Sequence, residues 1–110
     1  MSHFNATLEF EKDFKRLFKK YRTLDDDLEK LKEVLLGSPT GIGKNFVILY
    51  SSTSVKIVKA RMACKALNNR SLRIVYAYLE QDKQFEFLEL YAKGDKENEN
   101  QQRIKQCLEQ

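Results

Sequence analysis

The chain has 110 residues, about the size of one domain and enough for a single core, so residues 1–110 are expected to fold as one unit. Hydrophobic residues make up 42% and charged residues 33%, with one Pro and four Gly, which excludes a disordered or low-complexity chain. The formal net charge of +4 is unevenly placed: residues 1–37 carry eight basic and eight acidic side chains, residues 38–93 nine and four, and residues 94–110 three and four. A basic excess confined to one region is the electrostatic footprint of a polyanion partner, the plainer alternative being a solvated sheet face. Cys64 and Cys107 are the only cysteines and show no CxxC spacing, which suits reduced thiols. The N-terminal MSHFNATLEF has no long apolar run, and no window approaches a membrane-spanning length, so a cytoplasmic protein without a membrane partner is expected.

In chain order, Phe4–Thr7 alternates like a short edge strand. Phe10, Phe14, Leu17, Phe18 and Tyr21 then recur at helical spacing and form one apolar stripe. Thr23 followed by Asp26 resembles a capping box, and Leu24, Leu28, Leu31 and Leu35 carry a second helix to Gly37 and Pro39. The short connection predicts an antiparallel helical hairpin. Phe46–Tyr50 and Val55–Met62 flank a polar turn and read as a β-hairpin. After a basic excursion over 63–70, Leu72–Leu79 and Phe85–Lys93 complete a meander. From Asp95 onward only Ile104, Cys107 and Leu108 supply an apolar helical face, which predicts a weakly anchored terminal helix. The expected class is α+β, with a helical hairpin packed on a small antiparallel sheet in the order β-α-α-β-β-β-α.

Strand parity divides the sheet into two faces. Val58, Ala60, Met62, Leu72, Ile74, Tyr76, Tyr78, Leu88, Leu90 and Ala92 are expected beneath the helices. Lys59, Arg61, Arg73, Val75, Phe85, Phe87, Glu89, Tyr91 and Lys93 are expected on the open face. Phe85 and Phe87 there are expected to pack under the terminal helix. The stretch Val55–Tyr78 holds Lys56, Lys59, Arg61, Lys65, Arg70 and Arg73 and no acidic residue. Arginine and lysine neutralise phosphates and aromatic rings stack on unpaired bases, so this surface suits single-stranded nucleic acid.

Other chemistry is poorly represented. Gly41-Ile42-Gly43-Lys44 lacks the remaining residues of a phosphate-binding loop and precedes a strand rather than a helix. No His, Cys and carboxylate cluster has metal-ligand spacing, His3 is alone, and Glu86 and Glu89 are expected on opposite faces of their strand. Neither a metal nor a cofactor is therefore expected. Chemistry on this chain would use Lys, Arg and Tyr, with the nucleophile supplied by the substrate, and the 2′-hydroxyl of RNA is such a nucleophile.

The element order, together with FEKDFKRLFKKY, Lys59-Ala60-Arg61-Met62, Leu72-Arg73-Ile74-Val75-Tyr76 and the stretch from Leu90 to Asn98, resembles the RelE/ParE superfamily of toxins from bacterial type II toxin–antitoxin modules. The resemblance covers essentially the whole chain. It implies a toxin silenced by a cognate antitoxin that, in the RelE-like branch, enters the ribosome and cleaves mRNA without metal to leave a 2′,3′-cyclic phosphate. Lys59, Arg61 and Arg73 would bind phosphate and stabilise the transition state, Lys93 would assist, and Tyr91 is the nearest proton-transfer group. Lys56, Lys65 and Arg70 would be outer RNA contacts. Arg70 and Ser71 stand where RelE-like nucleases often carry a Gly pair, and Gly94–Gln110 contains neither Tyr nor His. The alternative is a ParE-like inhibitor of DNA gyrase without chemistry of its own. A third reading is a non-toxic basic interaction module. The oligomeric state of the free protein stays open.

Overall fold

The computed structural model describes residues 3–68 and 70–109; Asn69, inside the predicted basic excursion, and Gln110, at the end of the predicted terminal helix, lie outside them. The elements are β1 (Phe4–Ala6), α1 (Leu8–Phe18), α2 (Leu24–Gly37), β2 (Phe46–Ser51), β3 (Val55–Ala63), a 3-10 turn (Lys65–Leu67), β4 (Ser71–Leu79), β5 (Gln84–Tyr91) and α3 (Gln101–Leu108). The chain is α+β, with three helices and a five-stranded sheet in the order β1-β5-β4-β3-β2. Strands β2 to β5 form an antiparallel meander of four strands, one more than the three that follow the hairpin in the expected β-α-α-β-β-β-α order. The sheet as a whole is mixed, however, because β1 pairs in parallel with β5. The helical hairpin carries the chain from one edge strand to the other, so β1 meets the last strand in the same direction. Stacking fixes that contact, with the Phe4 ring 4.8 Å from Phe85 and 5.7 Å from Phe87.

Helix α1 begins where the Thr7 hydroxyl accepts a hydrogen bond from the Phe10 amide at 3.1 Å. Helix α2 starts at the predicted position but without the predicted cap. Thr23 has φ −91° and ψ 2°, and its hydroxyl donates to Asp27 at 2.9 Å and accepts from the Ala66 amide at 3.1 Å. The side chain thereby ties α2 to the 3-10 turn, and acidic residues at 25–27 still complement the helix N-terminus. Gly41 turns the chain toward β2 with φ +72°, and a Cβ there would run into the Phe46 ring. Buried Tyr76 donates to the Pro39 carbonyl at 2.7 Å and fastens the same segment to the sheet.

The principal core lies between α1, α2 and the sheet and includes Phe10, Leu17, Leu24, Leu35, Val58, Ala60, Met62, Leu72, Ile74 and Tyr76. Parity correctly assigns β3, β4 and the end of β5, where Leu90 and Ala92 pack beneath the helices, but fails for Phe85, Phe87 and Leu88. Val75 pairs with Glu89 while Tyr76 pairs with Phe87, so Leu88 is an extra, bulged residue. Before the bulge, Phe85 and Phe87 point to the helical hairpin, with Phe87 stacked 5.2 Å from Phe10 rather than under the terminal helix. Leu88 turns to the opposite face, where it joins Ile57, Val75, Ala77, Tyr91 and Ile104 in a second core beneath α3. Glu86 and Glu89 consequently share the α3 face, contrary to the alternation expected of a regular strand. They hold different partners: Glu86 accepts from the Cys107 thiol at 3.8 Å, whereas Glu89 accepts from Lys96 and the Asn100 amide.

The terminal helix is also more firmly held than its three apolar residues suggest. Arg103 donates from Nη1 to Asp13 Oδ2 at 2.6 Å and to the Leu88 carbonyl at 3.0 Å, and from Nη2 to Asp13 Oδ1 at 3.3 Å. Asp13 Oδ2 also accepts the Leu90 amide at 3.1 Å, beyond Phe87, the last β5 residue that β1 pairs. Hydrogen bonding to Asp13 pushes the Arg103 pKa further up, so the guanidinium stays charged. Removing one partner of a largely buried ion pair strands the other charge and, here, a backbone donor. Asp13→Ala is expected to lower stability by about 3 kcal/mol in urea unfolding, with Arg103→Ala costing less. A loss below about 1 kcal/mol for Asp13→Ala would show that the clasp is dispensable.

Candidate functional site

The antiparallel register assembles the basic residues of β3 and β4. Arg61 stands directly opposite Arg73, which in turn pairs with Tyr91, so the three side chains form one row across β3, β4 and β5. The next row on that face is Val47, Lys59, Val75 and Glu89. Like charges directly opposite on neighbouring strands are destabilising by a few tenths of a kcal/mol up to about 1 kcal/mol. Nothing acidic offsets the Arg61–Arg73 pair among the described residues: Arg73 donates only to the Ser71 carbonyl at 3.4 Å and its hydroxyl at 3.1 Å. Two guanidiniums held side by side without a carboxylate form a ready receptor for an anion.

These residues line an open cleft of about 470 Å³ walled by Lys44, Asn45, Val47, Lys59, Arg61, Arg73, Lys93, Glu97 and Asn98. Five of its side chains are cationic and one is acidic. The cleft occupies only the β2–β4 part of the face predicted to be open, because α3 and the second core cover the rest. Sequence reasoning thus finds Lys59, Arg61, Arg73 and Lys93 together. It misses Lys44, which belongs to the rejected glycine-lysine motif and enters the cleft as the lead-in to β2, and it misses the acidic contribution of the 95–100 segment.

Lys59 donates from Nζ to Glu99 Oε1 at 2.9 Å, with side-chain exposures of 24% and 11%. The second Glu99 oxygen accepts from Gln101 Nε2 at 3.0 Å. The bond from Lys59 is the main reason the Glu99 carboxyl is held below the usual glutamate range, and burial opposes it. Glu89, only 1% exposed, accepts Lys96 Nζ on one oxygen and the Asn100 amide on the other at 2.7 Å, so one carboxylate pins both ends of the 96–100 segment.

Tyr91, expected at the open surface, is instead 2% exposed. It lies on the face that strand parity assigns to it, but α3 covers that face and encloses Tyr91 in the second core. Its hydroxyl has no hydrogen-bond partner among the described residues, and the Lys96 ammonium lies 5.0 Å from the ring centre. Burial, then Glu99 and Glu89, push the phenol's pKa up, against an opposing effect of Arg73. Tyr91 is therefore a protonated group at neutral pH, suited to donating a proton rather than taking one.

The three expected outer contacts lie elsewhere. Lys56 is on the opposite face, as strand parity has it, and is bound to Glu80 at 2.7 Å and to the Ser52 carbonyl at 3.3 Å. Lys65 lines a neighbouring groove of about 300 Å³ that shares Asn45 and Arg61 with the cleft. There it lies beside Lys30, whose pKa it lowers. Arg70 is exposed, and its Nε reaches the Leu67 carbonyl at 3.5 Å. No group of His, Cys, Asp or Glu among the described residues is arranged to hold a metal ion. No helix among them is long and apolar enough to cross a membrane.

Compared with known proteins, the chain matches no family model and no curated protein.

The Lys59–Glu99 pair has a measurable signature. Because the folded pKa of Glu99 lies below its unfolded value, its contribution to stability is complete above the ordinary glutamate range and is lost as pH falls through the lowered value. An NMR titration is expected to place Glu99 below an ordinary glutamate and to find it raised in Lys59→Ala, where the opposing effect of burial remains. A midpoint unmoved by Lys59→Ala would contradict the pairing.

Proposed function

We propose that the cleft binds the phosphate backbone of RNA and that the protein is a RelE-like toxin of a type II toxin–antitoxin system, cleaving mRNA on the ribosome. The observation that carries this reading is the Arg61–Arg73 pair, held side by side on a sheet without a neutralising carboxylate and rimmed by Lys44, Lys59 and Lys93. A strand, a helical hairpin, an antiparallel meander and a terminal helix in that order support the resemblance in fold, although the meander has four strands. In this reading Arg61, Arg73 and Lys59 hold a phosphate and stabilise its added charge as the 2′-hydroxyl attacks phosphorus. The P–O bond to the 5′-oxygen breaks, leaving a 2′,3′-cyclic phosphate. The 2′-hydroxyl loses its proton and the departing 5′-oxygen gains one. Lys93 assists at the rim, Tyr91 is the candidate donor to the leaving oxygen, and Lys65 and Arg70 are outer contacts. A cognate antitoxin would silence the protein in the cytoplasm.

Tyr91 favours a second reading. With its phenol buried, the residues that line the cleft beside the arginines include no tyrosine or histidine, which suits a ParE-like inhibitor that binds DNA gyrase and performs no chemistry.

Induced expression with mapping of mRNA ends in translating cells separates the two. Cleaved messages are expected, and Arg73→Ala and Lys59→Ala are each expected to reduce cleavage roughly 100-fold or more while the protein remains folded. Intact messages accompanied by stalled supercoiling would favour gyrase inhibition. Undiminished cleavage by both variants would remove the cleft from the mechanism.

A further inference from the structure

We infer that Glu99 is a built-in competitor for the substrate phosphate: its carboxylate occupies Lys59 in the folded chain, and a phosphate of the bound strand must displace it. The inference rests on the phosphate-binding reading of the cleft and adds an inhibitory contact to it.

Among the cationic side chains that line the cleft, Lys59 alone has an acidic partner among the described residues. Glu99 is held as an anionic ligand would be, with Lys59 on one oxygen at 2.9 Å and Gln101 on the other at 3.0 Å. That carboxylate comes from the 96–100 segment before α3, whose two ends are already pinned by Glu89. Helix α3 is separately secured by the Arg103–Asp13 pair and by Ile104 in the second core. The Lys59–Glu99 bond is thus a redundant tether for the fold, whereas it neutralises a residue at the centre of the cleft. A half-buried ion pair of this kind contributes little net stability, since much of its attraction is offset by desolvation. A polyanion offering several phosphates can therefore replace it at small cost.

With the Glu89 anchors in place, displacement needs only a rotation of the Glu99 side chain. The same movement withdraws negative charge from Tyr91, whose hydroxyl has no described partner in the closed arrangement. Glu97, also on the cleft wall but without an ion-pair partner among the described residues, is the natural control because it carries the same charge without engaging Lys59.

The test is binding of a fluorescent, fully 2′-O-methylated single-stranded RNA, which cannot be cleaved by 2′-hydroxyl attack, measured by anisotropy across a salt series. Glu99→Gln is expected to bind roughly fivefold more tightly at about 0.1 M salt, with a salt slope steeper by about 0.7 as Lys59 becomes free to meet one more phosphate. The gain should vanish when Lys59→Ala is added and should be smaller in Glu97→Gln. Glu99→Asp, which keeps the charge but shortens its reach to Lys59, should shift affinity in the same direction and provides the test if Glu99→Gln is poorly folded. Unchanged or weaker binding, an equal gain from Glu97→Gln, or a gain that survives Lys59→Ala overturns the inference. Arg73→Ala tests the underlying reading separately because it leaves the Lys59–Glu99 pair intact. If Arg73→Ala binds as tightly as the unmodified chain, or if the unmodified chain and Glu99→Gln both fail to bind, the phosphate-binding reading fails and the inference falls with it.

Discussion

The Asp13 carboxylate sits where α1, the β5 bulge and α3 meet, and the rest of the arrangement depends on it. Strand β1 pairs with β5 only as far as Phe87, and a buried backbone amide left without a partner beyond it is costly. Asp13 accepts that amide from Leu90 and simultaneously holds Arg103, whose guanidinium also binds the Leu88 carbonyl at the bulge. One acid therefore stabilises an irregular strand and docks a helix against it. The bulge then decides which side chains face which layer: Phe85 and Phe87 complete the principal core, while Leu88, Glu89 and Tyr91 face α3.

The cleft follows from that division. Because α3 closes over the β5 side of the sheet, the basic residues of β3 and β4 are left at the border between a covered and an open surface. Arg61 and Arg73 lie against each other across the strands, and their mutual repulsion is a local cost that an anion would relieve. Glu89 extends the influence of the bulge by holding Lys96 and the Asn100 amide, which brings Glu99 within reach of Lys59. A packing irregularity in β5 is in this way connected to the charge state of the cleft.

Much of this was legible in the residues. The stripe from Phe10 to Phe18 and the leucines from Leu24 to Leu35 each repeat on one helical face, and the alternation of β3 and β4 assigns Lys59, Arg61 and Arg73 to a common side. The fifth strand defeats the same logic because Phe85, Phe87, Leu88, Leu90 and Tyr91 place apolar side chains on both parities, so a bulge leaves no visible break in the pattern. The parallel pairing of β1 depends on Phe4 stacking against residues some 80 positions away, and the hold on α3 depends on Asp13 meeting Arg103 across 90 positions. Such contacts have no local periodicity to announce them. For the acidic 95–100 segment, the sole hint was its position after a long basic stretch, which suggests charge compensation without naming Lys59 as its target.

The central claim is that the Arg61–Arg73 cleft receives the phosphates of a single strand of RNA. It is tested most directly by following side-chain and backbone NMR signals while a 2′-O-methylated RNA oligonucleotide is titrated into the full chain. The account predicts that the Arg61 and Arg73 guanidinium signals, with those of Lys44, Lys59 and Lys93, shift together and saturate at one concentration. Saturable shifts centred on Lys56 and Glu80, with the two arginines unmoved, would contradict it.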